Sequence, residues 1–150
     1  MSDIVWAINP ERDTLLELIR KMRRHADEVF TQRDIELQFN APDANDSMRL
    51  GVDVRRDLLL IFKETVNNAA RHSGCTQVNI DLQIQPSQLL LEIADNGKGF
   101  DQSIESEGHG LRSMKRRAKA LGGTLEITSS GGVKTLIRVR IPIGRSRKAS

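Results

Sequence analysis

Two alternating segments joined by a tight turn constrain this chain more than any other feature. Thr76 to Ile84 sets Val78, Ile80, Leu82 and Ile84 on one side and Gln77, Asn79, Asp81 and Gln83 on the other. A period of two with this polarity is a strand with one buried and one wet face. Pro86-Ser87 follows, then Leu89 to Asp95, with Leu89, Leu91 and Ile93 on its apolar side. Proline and serine in so short a connection reverse the chain, so the two strands pair antiparallel. Such a hairpin is not stable alone in water; its apolar face needs a covering layer.

The rest of the chain offers that layer. From about Asp13 to Phe30, apolar residues fall at Leu15, Leu18, Ile19, Met22, Ala26, Val29 and Phe30, which is helical spacing with charges on the other face. Asp34 to Asn40 reads as a short strand, followed by a polar, turn-rich loop through Ser47. A second helix runs from about Asp53 to Ser73 and stops at Gly74; its buried stripe is Leu58, Phe62, Val66 and Ala69, with Leu59, Ile61 and Thr65 beside it. A third helix spans about Leu111 to Leu121 and ends at Gly122-Gly123. Two last strands, Thr124 to Ser129 and Val133 to Pro142, are joined by Ser130-Gly131-Gly132, a hairpin signal. The order predicts an α+β fold: a two-layer α/β sandwich with a mixed, mostly antiparallel sheet and helices on one face.

Composition narrows the function classes. The 150 residues fit one domain. Only 3% are aromatic, so the core is aliphatic and no stacking platform for single-stranded nucleic acid is expected. The net charge of +3 is concentrated in the tail Gly144-Arg145-Ser146-Arg147-Lys148, which reads as solvated and disordered rather than as a nucleic-acid or membrane arm. A single cysteine, Cys75, excludes an internal disulfide and fits a reducing, cytoplasmic setting. No apolar run reaches membrane-span length and no signal peptide opens the chain; any membrane part of a parent receptor lies outside this sequence.

Three polar pieces interrupt the apolar pattern. Glu64, Asn68 and His72 recur every four residues, so they share one face of the second helix, with Asn67 and Arg71 alongside. The amide oxygen of Asn68 suits Mg²⁺, which takes a few protein oxygens plus phosphates and water; alone, this face reads first as ordinary solvated surface. The second piece is Asp95-Asn96-Gly97-Lys98-Gly99-Phe100. Counting by twos from Leu89 puts Asp95 on the apolar face, where an ionised carboxylate needs a donor such as an adenine amine. A turn with Asp95 splayed to solvent accounts for the segment equally well. Gly97 and Gly99 permit a sharp turn close to a ligand. The third is Gly108-His109-Gly110-Leu111 at the start of the third helix, where free N–H groups and the helix dipole favour a phosphate. It matches neither the Walker A nor the Rossmann pattern. Between the glycine clusters, Asp101 to Glu107 reads as a short mobile lid. Arg112, Lys115, Arg116 and Lys119 form a basic helix face, read first as solvated and second as a phosphate or partner surface.

Taken in order, Lys63-Glu64-Thr65-Val66-Asn67-Asn68-Ala69-Ala70-Arg71-His72-Ser73, then Asp95-x-Gly97-x-Gly99-Phe100, then Gly108-x-Gly110-Leu111, resemble the GHKL superfamily. These are the ATPases shared by gyrase, heat-shock chaperones, sensor histidine kinases and mismatch-repair proteins. The likeness covers roughly Ile35 to Pro142 and points most to bacterial sensor histidine kinases of the short-lid subfamily that includes nitrate and membrane-fluidity sensors. It implies an ATP-binding catalytic domain with ATP and Mg²⁺ as cofactors. Asn68 would hold the metal, with Glu64 supporting metal or water; these two form the catalytic pair. Asp95 would accept from the adenine amine, with Gly97 and Gly99 shaping the pocket wall. Gly108 and Gly110 would cradle phosphates, Leu111 following them. Thr135, in register with Ile137, Val139 and Ile141, would help bind adenine. Arg71, His72 and His109 would neighbour the phosphates.

The same likeness divides the chain. Residues 1–10, including Asp3-Ile4-Val5-Trp6-Ala7-Ile8-Asn9-Pro10, look like the end of a dimerisation helix and its joint; 11–142 form the ATP-binding domain; 143–150 form the basic tail. None of His25, His72 and His109 sits in a phosphoacceptor context, and His25 reads as solvated or partly packed. The acceptor histidine is therefore expected on dimerisation helices of the same kinase, absent from this chain, with a response regulator engaged indirectly. Alone, the chain is expected to be a monomer, the cytoplasmic portion of a membrane-bound sensor, touching neither nucleic acid nor membrane. Two other readings keep the fold. One is a stand-alone serine kinase of the anti-sigma-factor type, against which the Trp6-to-Pro10 segment speaks. The other is a non-catalytic docking module, against which the presence of Asn68 and Asp95 speaks.

Overall fold

The computed structural model describes residues 14–42, 50–72, 74–97, 108–130 and 134–143. Expectations for residues 1–10, Ser73, Gly99, the 101–107 lid, the 131–132 turn and the tail from Gly144 fall outside these residues.

Helix α1, Leu15–Thr31, begins at Thr14, whose Oγ1 accepts from the Glu17 N–H at 3.2 Å. That cap fixes the start two residues beyond Asp13. Leu15, Leu18, Ile19, Met22, Ala26 and Phe30 are buried, as their spacing predicts. The chain leaves α1 through Asp34 in the left-handed region (φ 58°), and the Ile35 N–H donates back to the Phe30 carbonyl at 3.0 Å. Strand β1 is Glu36–Asn40. Helix α2, Val52–His72, buries Leu58, Ile61, Phe62, Thr65, Val66 and Ala69. Phe62 is fully covered, and burying a side chain of that size contributes about 1.5–3 kcal/mol. Gly74 adopts φ 66° just beyond the helix.

Strands β2, Gln77–Ile84, and β3, Gln88–Asp95, form the expected hairpin, paired antiparallel from Ile84↔Leu89 to Val78↔Asp95. Helix α3, Gly108–Ala120, precedes β4, Thr124–Ser130, and β5, Lys134–Pro142. Among the described residues the strands form one sheet in the order β1-β2-β3-β5-β4. Only β1–β2 is parallel; the other three pairings are antiparallel. Val78, Ile80, Leu82, Leu89, Leu91, Ile93, Ile137, Val139 and Ile141 are buried in one core with the apolar stripes of the helices. The opposite sheet face is largely polar, with Leu90, Ala94 and Leu136 half-buried on it, and carries the Arg138–Glu92 ion pair at 2.7 Å between direct cross-strand neighbours.

Two contacts fasten α3 to α2. The buried Thr65 hydroxyl donates to the Ile61 carbonyl at 2.9 Å and lies 3.3 Å from Met114 Sδ. One end further on, Asp57 accepts from Arg117 at 3.4 Å and from Arg56 at 3.2 Å. The far end of α3 is closed by a pair of bonds, Gly123 N–H to the Ala118 carbonyl at 2.8 Å and Gly122 N–H to the Lys119 carbonyl at 2.9 Å, with Gly122 at φ 79°. This is the helix-ending pattern that a left-handed glycine permits. Among the described residues no helix is long and apolar enough to cross a membrane.

Candidate nucleotide site

The strand alternation carries Asp95 into the covered face of the sheet, where it is 8% exposed. Of the two sequence readings, the inward one describes the structure. Gly97, itself buried, donates its N–H to Asp95 Oδ1 at 2.9 Å. Burial pushes the Asp95 carboxyl above the ordinary carboxylate range, and the Gly97 bond pulls back only in part. A buried acceptor with one protein donor among the described residues is under-satisfied by them, and a ligand donor would relieve it.

Across the β3–β5 ladder Asp95 stands directly opposite Thr135, the second residue of β5. Thr135 is 6% exposed, and among the described residues its Oγ1 has no hydrogen-bond partner. Buried hydroxyls are nearly always paired, so an orphan beside a half-satisfied carboxylate marks a place for a polar, flat ligand edge. An adenine amine with its ring nitrogens fits this donor–acceptor set.

Helix α2 presents Glu64 and Asn68, both half-buried, one turn apart. Asn68 Oδ1 accepts from the exposed Arg71 at 3.2 Å. His72 is the last residue of the helix, and its side chain lies outside the described set. Among the described residues no group of three or more His, Cys, Asp or Glu converges as a metal site. An isolated amide oxygen suits Mg²⁺, which completes its shell with phosphate and water oxygens.

Helix α3 starts at Gly108, three residues before Leu111, where the apolar pattern begins. Glycine is a poor helix former, which hides this first turn from a propensity reading. Gly108, His109 and Gly110 therefore belong to the opening turn, whose N–H groups find no carbonyl within their own helix. The free donors and the dipole end are both available to an anion. Leu111 is half-buried behind them. Arg112, Lys115, Arg116 and Lys119 are exposed, as their spacing predicts, while Arg117 turns toward Asp57.

The structure thus unites Asp95, Gly97 and Thr135 at one end of the sheet, and it packs the helix of Asn68 against the helix of Gly108–Gly110 through Thr65 and Met114. Three contributors escaped the sequence reading. Asn96, Met114 and Asp57 act through partners 20, 49 and 60 residues away, beyond any local pattern. The Asx residue directly after a strand was the one available signal, for Asn96.

Comparisons with known proteins bear on the family and the fold. The family described as histidine kinase-, DNA gyrase B-, and HSP90-like ATPase matches residues 53–145. Sensor histidine kinase LiaS of Bacillus subtilis (strain 168) is 36% identical over 118 residues, 78% of this chain and 32% of LiaS. Sensor protein VraS of Staphylococcus haemolyticus (strain JCSC1435) is 41% identical over 90 residues, 59% of this chain and 26% of VraS. The chain thus spans about a third or less of the length of these curated relatives. Among solved structures, the histidine kinase domain of the Erythrobacter litoralis EL346 blue-light activated histidine kinase aligns with a TM-score of 0.71 at 20% identity, covering 84% of this chain and 61% of that one. Acinetobacter baumannii histidine kinase AdeS aligns at 0.69 and 17% identity, covering 88% and 66%. These two likenesses speak for the fold.

Proposed function

The chain belongs to the histidine kinase-, DNA gyrase B-, and HSP90-like ATPases, and from that premise we propose that it is the ATP-binding catalytic domain of a two-component sensor histidine kinase. The observation that carries the nucleotide reading is the buried, under-satisfied Asp95 carboxylate facing the orphan Thr135 hydroxyl. Sensor-kinase relatives over most of the chain support the kinase reading. The short-lid subfamily is our finer assignment.

In this reading Asp95 accepts from the adenine amine and Thr135 bonds the same ring edge. The Gly108, His109 and Gly110 N–H groups donate to phosphate oxygens, with Arg71 as a further neighbour, Leu111 following them and Gly97 shaping the pocket wall. The Asn68 amide oxygen holds Mg²⁺, and Glu64 orders the metal's water. Bound Mg²⁺ offsets the negative charge of the phosphates. Phosphoryl transfer then needs positioning and charge neutralisation more than covalent chemistry from the protein. The γ-phosphorus bond to its bridging oxygen breaks as a bond to an imidazole nitrogen forms, leaving ADP and phosphohistidine. The imidazole belongs to dimerisation helices of the parent kinase, and a cytoplasmic response regulator receives the phosphoryl group afterwards. The isolated chain is a monomer that binds ATP without phosphorylating itself.

Calorimetric titration of Mg-ATP tests this, with Asp95→Asn and Asn68→Ala in parallel. Wild type is expected to bind, Asp95→Asn to lose most affinity, and Asn68→Ala to lose chiefly the Mg-dependent part. No binding at millimolar nucleotide overturns the reading. Robust phosphate incorporation into the purified chain alone would instead overturn the assignment of the acceptor to another segment.

A further inference from the structure

Asn96 makes three side-chain hydrogen bonds at the end of the sheet that holds Asp95. Its Oδ1 accepts from the backbone N–H groups of Thr76 at 2.9 Å and Gln77 at 3.0 Å. Its Nδ2 donates to Thr76 Oγ1 at 3.0 Å, and its own N–H donates to the Gln77 carbonyl at 3.2 Å. Thr76 in turn gives its carbonyl to the Glu36 N–H at 2.9 Å, at the start of β1. One exposed side chain thus pins the exit of β3 to the entries of β2 and β1.

The neighbours on either side explain what the pin is for. Asp95 precedes Asn96 and Gly97 follows it, and the Gly97 N–H rests on Asp95 Oδ1 at 2.9 Å. The peptide units flanking Asn96 therefore aim both the carboxylate and the N–H that donates to it. Were Asn96 free to turn, Gly97 would move with it and the carboxylate would lose its fixed direction. A buried acceptor recognises a particular donor only when it is held still, because a polar ligand of the wrong pattern then leaves it unpaired.

We infer that Asn96 is a positioning residue that orients Asp95 for the exocyclic 6-amine of adenine, where guanine presents an acceptor oxygen instead, and so sets the preference for adenine over guanine nucleotides. This rests on the nucleotide reading of Asp95 given above.

The test is a calorimetric cycle with Mg-ATP and Mg-GTP on wild type, Asn96→Ala, Asp95→Asn and the double variant. Amide exchange at Gly97 is measured beside it in the nucleotide-free chain. Asn96→Ala is expected to weaken ATP binding roughly tenfold, a change typical of one lost oriented bond, and to shrink the ATP-over-GTP preference. In the Asp95→Asn background the same substitution is expected to add less than about twofold, since residues acting through one another are not additive. Asn96→Asp, which keeps the acceptor for both backbone N–H groups, is expected to restore most of the affinity. Gly97 exchange is expected to speed up in Asn96→Ala and not in Asn96→Asp.

Equal losses in both backgrounds, or an unchanged nucleotide preference, overturn the positioning role and leave Asn96 a structural staple. Unchanged Gly97 exchange in Asn96→Ala overturns it independently of any ligand. A wild type that binds no ATP overturns the adenine-orienting role together with the nucleotide reading; faster Gly97 exchange in Asn96→Ala then still supports the mechanical coupling alone.

Discussion

Asp95 and Thr135 are direct cross-strand partners in the β3–β5 ladder, both turned into the covered face of the sheet, the one a half-satisfied carboxylate and the other an orphan hydroxyl. Forty residues of sequence and a complete helix separate them. Their meeting is a consequence of register alone, and it joins two polar costs in the ligand-free domain at one point.

The first cost is Asp95. Burial raises its pKa in the fold, so the native state holds the proton more tightly than the unfolded chain does. Stability is then fully present below the ordinary carboxylate range and declines as pH rises through the raised value. At pH 7 the ionised side chain is a net cost to the ligand-free fold. Asp95→Asn is expected to raise Tm at pH 7, to leave it little changed near pH 3, and to lose ATP affinity. Thermal melts across that range check the sign; a lower Tm at pH 7 would contradict it.

Thr135 is the second. An unpaired buried hydroxyl costs about 1–3 kcal/mol, and valine keeps its shape without it. Thr135→Val is expected to leave the ligand-free domain as stable or more stable by about 1 kcal/mol, while ATP binding weakens severalfold. Denaturant unfolding with and without nucleotide separates the two effects. A destabilised ligand-free domain would show that the hydroxyl has a partner after all.

Two adjacent glycines after α3 are expected to respond differently to the same change. A Cβ on Gly123 would collide with the Arg140 carbonyl oxygen and crowd Ile141 Cδ1, whereas one on Gly122 meets only Pro142 Cγ at 3.4 Å. Gly122 needs its hydrogen for φ 79°, at a cost of about 1–2 kcal/mol for alanine. Gly123→Ala forces backbone apart and is expected to cost about 3 kcal/mol or more. Differential scanning calorimetry on the two variants should show clearly unequal drops in Tm.

His25 is expected to give the domain an acid sensitivity. It is half-buried on α1, and burial together with the Lys63 ammonium holds its pKa below the ordinary imidazole value. The Asn67 amide beside the ring and the Glu28 carboxylate oppose this only in part. The folded state binds fewer protons than the unfolded one, so stability falls as pH drops from about 6.5 through the lowered value. Melts at pH 7.5 and 5.5 are expected to show a Tm loss that shrinks in His25→Gln. An unaltered loss would assign the sensitivity to other groups.

Local residue patterns were enough to set the elements and their faces. Leu15 to Phe30, Leu58 to Ala69 and the alternation from Val78 to Ile93 fixed which sides are buried, because periodicity is a local property that burial merely reads out. The same counting set Asp95 on the inward side, and Gly74 and Gly122 marked their helix ends. Which distant residues meet was settled by long-range packing. The β1–β2 parallel pairing, the place of β5 beside β3, and hence Asp95 opposite Thr135 all depend on register between strands whose joining segments carry no pairing code. The first turn of α3 at Gly108-His109-Gly110 was hidden because its residues are weak helix formers that neighbouring structure overrides. Asn96 shows the division most plainly: its identity suggested a turn, but its three side-chain partners at Thr76 and Gln77 exist only once β2 and β3 lie side by side. Local chemistry sets what each residue prefers, and only the closed sheet supplies the partner that satisfies it.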